Sequence, residues 1–236
     1  MLFTRELKST KMNIKMLIVT VLILFFSAQL CANTIHTEFP DKINPNENYV
    51  FYSHGFIVEG TNPIPENPKW GVYDFPAIKL ALADGNHNLI AYHREKGTDP
   101  QKFAKLLAKD AINLIENGVK PNNITFVGFS RGGAITVLTS NYLALDDVNF
   151  VILAGCGRLI KNSSSVKIYG NVYSMFETSD SVGSCQFLAD RSGDVQSFTE
   201  SSISTGKDHG AFYKPLSEWI VPVKAWIKSR PGTSQK

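Results

Sequence analysis

The sequence predicts an α/β protein: a mostly parallel sheet flanked by helices on both faces. Three observations predict it. Apolar runs of strand length alternate with helical patterns along the chain, and strands joined through helices run parallel and are covered on both sides. With 236 residues, 43% apolar and 19% charged, the chain can build one sizeable core but not two. Finally, a glycine-flanked turn, Gly128-Phe129-Ser130-Arg131-Gly132, lies directly between an apolar run and a helical pattern.

The elements follow in order. Arg5, Lys8, Lys11 and Lys15 precede an apolar run from Met16 to Phe26, and Ser27–Ala32 is small and mixed. That is the order of a secretory signal. The run of 11 residues falls short of the roughly 20 needed to cross a bilayer. We therefore expect residues 1–32 to be removed on export to the periplasm or exterior, with residues 33–236 forming one domain. Cys31 lacks the small preceding residue of a lipidated cysteine.

Tyr49–Ser53 reads as a buried strand, followed by a Pro- and Asn-rich loop from Gly55 to Lys69. Asp74–Ala83 reads as a helix capped by Asp74, with Pro76 in its first turn. Leu89–Tyr92 is a short strand. Pro100–Asn117 is the clearest helix, with Phe103, Leu106, Leu107, Ala111, Leu114 and Ile115 on one face and Gly118 beyond its end. Ile124–Val127, Phe150–Ala154 and Val166–Phe176 are strands, the last broken at Gly170, and Arg131–Ala144 is a helix. A weaker strand at Gln196–Ile203 precedes a final helix, Lys214–Ser229, which Pro222 is expected to kink.

Charge narrows the partners. The chain holds 24 Lys and Arg against 21 Asp and Glu. Without residues 1–32 the balance is 20 against 20, so the excess belongs to the export segment and nucleic-acid binding loses its support. Membrane contact is expected only through that segment. Cys156 and Cys185 then remain, and in an oxidising compartment the pair suggests a disulfide. The cysteines and histidines are too sparse for a metal site.

The glycine-flanked turn carries the chemistry. A serine lifted clear of a sheet on so sharp a turn adopts a strained backbone, and the residues two before and two after it meet so closely that only glycine fits. That requirement falls on Gly128 and Gly132. A hydroxyl needs a base to become a nucleophile. Of His36, His54, His87, His93 and His209, only His209 follows Ser130, in a loop between the last strand and last helix. An acid is expected between them, after the strand that follows Phe150–Ala154. Asp180 fits; Glu177 is the main rival, with Asp190 and Asp194 behind it. Asp208 reads as a solvated loop residue and His54 as a local structural one. Backbone donors for a developing oxyanion are expected at Arg131, just after the serine, and at Phe56 in His54-Gly55-Phe56.

These residues resemble the α/β-hydrolase superfamily over nearly the whole chain after residue 32, through His54-Gly55-Phe56, the Gly128–Gly132 elbow, Asp180 and His209 in that order. They are most similar to its small, lidless members related to dienelactone hydrolases and compact carboxylesterases. The resemblance implies an α/β-hydrolase fold without a cap domain. It implies a Ser-Asp-His triad acting on small-molecule esters through an acyl-enzyme, and no metal or organic cofactor. Amide or thioester hydrolysis on the same triad, and a non-catalytic exported binding protein on the same scaffold, are the alternatives. Arg131 departs from the small or apolar residue many relatives carry after the serine; it would attract an anionic substrate or pair with a carboxylate on its helix. The pocket walls are expected at Ile57–Val72, Gly155–Ser165 and Ser181–Gly193, with Phe56, Trp70, Tyr73 and Phe129 as candidate apolar lining. Oligomeric state is not legible.

Overall fold

The computed structural model describes residues 34–193 and 195–229. The expectations for the export segment, for Asp194 and for the tail from Pro231 lie outside the described residues.

Seven strands form one parallel sheet: β1 (Thr34–His36), β2 (Tyr49–Ser53), β5 (Asn88–Ile90), β6 (Ile124–Phe129), β7 (Asn149–Leu153), β8 (Asn171–Glu177) and β9 (Ser197–Ile203). Their spatial order is β1-β5-β2-β6-β7-β8-β9. Between β2 and β5 a two-residue antiparallel pair, β3 (Glu66–Asn67) and β4 (Gly71–Val72), stiffens the segment read as plain loop.

Strand side chains alternate between two cores, as a pleat dictates. Tyr49, Phe51, Ile124, Phe126, Phe150 and Ile152 enter one, against α2 (Pro100–Glu116) and α3 (Arg131–Leu143). Val50, Tyr52, Val127, Phe129, Val151 and Leu153 enter the other, against α1 (Phe75–Leu82) and α6 (Ser217–Ser229). Continuous apolar strands are the mark of a sheet covered on both faces.

Local chemistry sets the helix ends. Asp74 accepts from the Ala77 amide and Asp99 from those of Gln101 and Lys102, with prolines just inside both helices. In α2 the packed stripe runs through Ala104, Leu107, Ala108, Ala111 and Leu114, while Leu106, expected inside, stays exposed. It sits about 100° round the helix from Leu107.

Other expectations are corrected. Residues 166–170 do not pair. Gly170 takes φ +81, and a Cβ there would lie 2.3 Å from the Val148 carbonyl oxygen, so β8 begins only after this turn. Val166 and Ile168 are buried by packing. The loops after β7 and β8 hold short helices, α4 (Arg158–Lys161) and α5 (Gln186–Ser192). Helix α6 begins at Ser217, past Pro215, with Pro222 inside it. Strand β1, three residues long, is too short to show a period.

Candidate active site

The site lies at the carboxyl ends of the central strands, where open α/β sheets place their ligands. Strand β6 ends at Phe129, and Ser130 takes φ 56 and ψ −114 before α3 begins. A non-glycine residue held there costs on the order of 1–3 kcal/mol. The Ser130 amide donates to the Leu153 carbonyl at 2.9 Å, anchoring the turn to β7. The flanking glycines leave no room for side chains. A Cβ on Gly128 would lie 2.2 Å from the Gly132 carbonyl oxygen, and one on Gly132 would lie 1.9 Å from that of Ser53.

His209 sits in a 3₁₀ turn, Asp208–Phe212, after β9. Its Nδ1 lies 2.6 Å from Asp180 Oδ2 and its Nε2 2.7 Å from Ser130 Oγ. With Asp180 as a carboxylate, Nδ1–H donates to it and Nε2 is free to accept from the serine hydroxyl. The ring packs beside Trp70 (5.2 Å between centroids) and Phe129 (4.8 Å). Asp180 is buried, and its Oδ1 accepts from the Val182 amide at 3.0 Å.

The rival acids are engaged elsewhere. Glu177 Oε1 accepts from the amides of Thr205 (2.8 Å) and Gly206 (3.1 Å). Its Oε2 accepts from the Ser179 amide at 2.6 Å and from the Ser179 hydroxyl. Burial pushes the Glu177 carboxyl up, but these hydrogen bonds outweigh it and hold it below its ordinary value. Asp190 is exposed and accepts from Gln186 Nε2 at 2.8 Å. Asp208 is more than a solvated residue: it takes φ 54, pairs with Lys69, and its Oδ1 accepts from the His209 amide at 2.7 Å.

On the far side of Ser130 lies the loop after β2. His54 is fully buried. The Arg94 amide donates to its Nε2 at 3.0 Å, so its Nδ1–H donates to the Gly55 carbonyl at 2.8 Å. Burial, then the Arg94 charge, bring its pKa down to about 2, fixing a neutral structural ring. Phe56 and Arg131 each open a helical turn, positions whose amides have no intrahelical acceptor. The Arg131 guanidinium lies 4.7 Å over the Phe56 ring.

Arg131 pairs with Glu59 (3.6 Å), not with a carboxylate on its own helix, and the same Glu59 oxygen lies 3.5 Å from Arg94 Nε. Arg94 is buried and its Nη2 donates to the His54 carbonyl. Burial lowers its pKa to about 10, against the opposing pull of Glu59, so it stays cationic at neutral pH. Sequence reasoning missed Glu59 and Arg94. Their signal was position: each charge follows closely on the carboxyl end of an apolar strand, β2 or β5.

Two clefts meet at Ser130 and His209. One, of about 580 Å³, is lined by Phe56, Ile57, Trp70, Phe129 and Tyr213 among others. The other, of about 400 Å³, is walled by Arg131, Gly155, Gly157, Arg158, Leu159 and Val182. Tyr73 does not line them: it is buried, and its hydroxyl accepts from the Gly55 amide at 3.3 Å. Cys156 and Cys185 form a disulfide, Cα atoms 5.4 Å apart, joining the loop after β7 to the loop that carries Asp180.

Solved structures share this architecture. Est1E from Butyrivibrio proteoclasticus matches with a TM-score of 0.53 at 12% identity, over 81% of this chain and 91% of that one. SOBER1 from Arabidopsis thaliana matches at 0.50 and 14%, over 78% and 99%. Esterase PE8 matches at 0.50 and 14%, over 78% and 92%. The fold is the α/β-hydrolase fold. No family model matches the sequence, and no curated protein matches it.

Proposed function

We propose that this protein is an exported serine hydrolase that cleaves small carboxylic esters through an acyl-enzyme on Ser130. The observation that carries the reading is the unbroken path from Asp180 through His209 to the Ser130 hydroxyl, at 2.6 and 2.7 Å.

In this reading Ser130 Oγ attacks the ester carbonyl as its proton passes to His209 Nε2. Asp180 holds the Nδ1–H tautomer and stabilises the imidazolium. The carbonyl oxygen, now an oxyanion, meets the amides of Phe56 and Arg131. The C–O bond to the alcohol breaks, and Nε2 returns the proton to the leaving oxygen. Water then adds to the acyl-enzyme by the same route, releasing the acid and restoring the serine. These steps need no metal or organic cofactor. The shared fold with Est1E and esterase PE8 favours ester cleavage.

Export rests on the order of basic, apolar and small residues in 1–32, and a disulfide suits an oxidising compartment. Residues 33–236 are read as a single hydrolase domain, with no affinity for nucleic acid. A fluorophosphonate probe tests the chemistry. Wild type is labelled and Ser130→Ala is not; well-folded wild type that resists labelling is instead a binding scaffold. Fractionation tests export, the expected product beginning near Asn33 and free of membranes.

A further inference from the structure

The two clefts differ in charge. The larger presents the apolar faces of Phe56, Ile57, Trp70 and Phe129, and its two charged lining residues, Glu59 and Lys96, are of opposite sign. The charged side chains that wall the smaller are Arg131 and Arg158, with no carboxylate among its lining residues, and it opens onto Ser130 and His209.

Neither arginine is fully neutralised. The Arg158 side chain has no hydrogen bond or ion pair with any described residue; only the residue's backbone carbonyl is engaged, accepting from the Asn162 amide at 3.0 Å. Arg131 reaches Glu59 only through Nε at 3.6 Å, and that carboxylate is shared with Arg94 at 3.5 Å. Two guanidiniums share the one carboxylate that lies within salt-bridge distance of either, so that pairing leaves a positive charge over. Asp99, whose charge also acts on Arg131, accepts from the Gln101 and Lys102 amides at the start of α2. Stacking on Phe56 holds the Arg131 fork in place at 4.7 Å, which limits the freedom lost when an acceptor arrives.

From this we infer that the site takes an ester with an apolar or aromatic arm in the larger cleft and a carboxylate-bearing arm in the smaller, held by Arg131 and Arg158. The inference rests on the hydrolase reading above. A carboxylate matches the guanidinium fork in a way a neutral chain cannot. The anionic group belongs either to the acyl part or to the alcohol part, and substrates distinguish the two.

The test uses matched pairs. Para-nitrophenyl butyrate and the para-nitrophenyl monoester of glutaric acid differ by a carboxylate on the acyl arm. Phenyl acetate and para-acetoxybenzoate differ by one on the alcohol arm. In at least one pair, kcat/KM of the anionic member exceeds that of the neutral one by about 10- to 100-fold at low salt. The ratio shrinks as salt rises, and Arg158→Glu abolishes or inverts it. Calorimetric binding of the same esters to Ser130→Ala gives the same preference without turnover. Equal or better handling of the neutral member in both pairs, by turnover and by binding, overturns the inference, as does a preference that Arg158→Glu leaves untouched. Loss of the hydrolase reading looks different: no turnover and no fluorophosphonate labelling, with the binding preference intact.

Discussion

His209 Nδ1 donates to Asp180 Oδ2 at 2.6 Å, although the two residues stand on loops that leave neighbouring strands, β8 and β9. The bond joins two loops that Glu177 also binds together, through Ser179 on one side and Thr205 and Gly206 on the other. In the proposed reaction Asp180→Asn keeps the geometry and supplies the wrong tautomer. Ester turnover by that variant is expected to fall by about 10³–10⁴, with an unchanged circular dichroism spectrum. Equal loss from Glu177→Gln, with Asp180→Asn silent, moves the acid to Glu177.

Glu177 has its carboxyl held below its ordinary value, so its contribution is present above the unfolded pKa, about 4.3, and is lost as pH falls through the folded one. Glu177→Gln is expected to lose about 1–3 kcal/mol near neutrality, and the gap from wild type closes in acid. Urea midpoints against pH measure it.

His54 has a different window. Its ring stays neutral in the fold down to a pKa of about 2, whereas the unfolded chain protonates it near 6.5. Stability is fully present above that value and drains away as pH drops below it. From pH 7 to 5 the loss is about 2 kcal/mol. His54→Gln lacks this dependence, which paired unfolding curves at the two pH values detect.

The disulfide closes a loop across a sequence separation of 29 residues. Its removal costs about 3–4 kcal/mol by chain entropy, or roughly 10 °C in Tm for a protein of this size. Calorimetry of Cys156→Ala/Cys185→Ala reads it. Two alkylatable thiols in the native, unreduced protein rule the bond out.

Glu59 carries two cations at once. Its side chain is 2% exposed, and Glu59→Gln leaves Arg94 buried without its partner. Breaking a buried pair in this way costs about 3–5 kcal/mol, visible in chemical denaturation. Arg94→Met in the same background recovers part of the loss, because the orphaned charge goes with it.

Much of this was legible before any coordinates. Tyr49–Ser53 is both the expected and the observed strand because an unbroken apolar run has one use in a sheet covered on both sides. Ser130 stood out because Gly128 and Gly132 mark a turn that side chains cannot enter, and His209 because chain order left one candidate. What escaped was made by long-range contact. Nothing near Glu59 in sequence announces Arg94 or Arg131, since the three meet only when β2, β5 and β6 lie side by side. Likewise, the apolarity of Val166 and Ile168 records burial and not pairing, a distinction that periodicity does not carry. The choice of Asp180 over Glu177 in sequence turned on loop placement; in three dimensions it turns on which carboxylate still has an oxygen to spare.

The indole of Trp70 lies 5.2 Å from the His209 imidazole, and Gly210 keeps it there: a Cβ on that glycine would stand 2.8 Å from Trp70 Cβ. This contact makes the protein its own optical sensor. A protonated imidazole quenches a neighbouring excited indole, so the emission of Trp70, isolated by replacing Trp219 and Trp226 with phenylalanine, dims when His209 takes up a proton. Stopped-flow fluorescence on unlabelled protein then follows that proton directly.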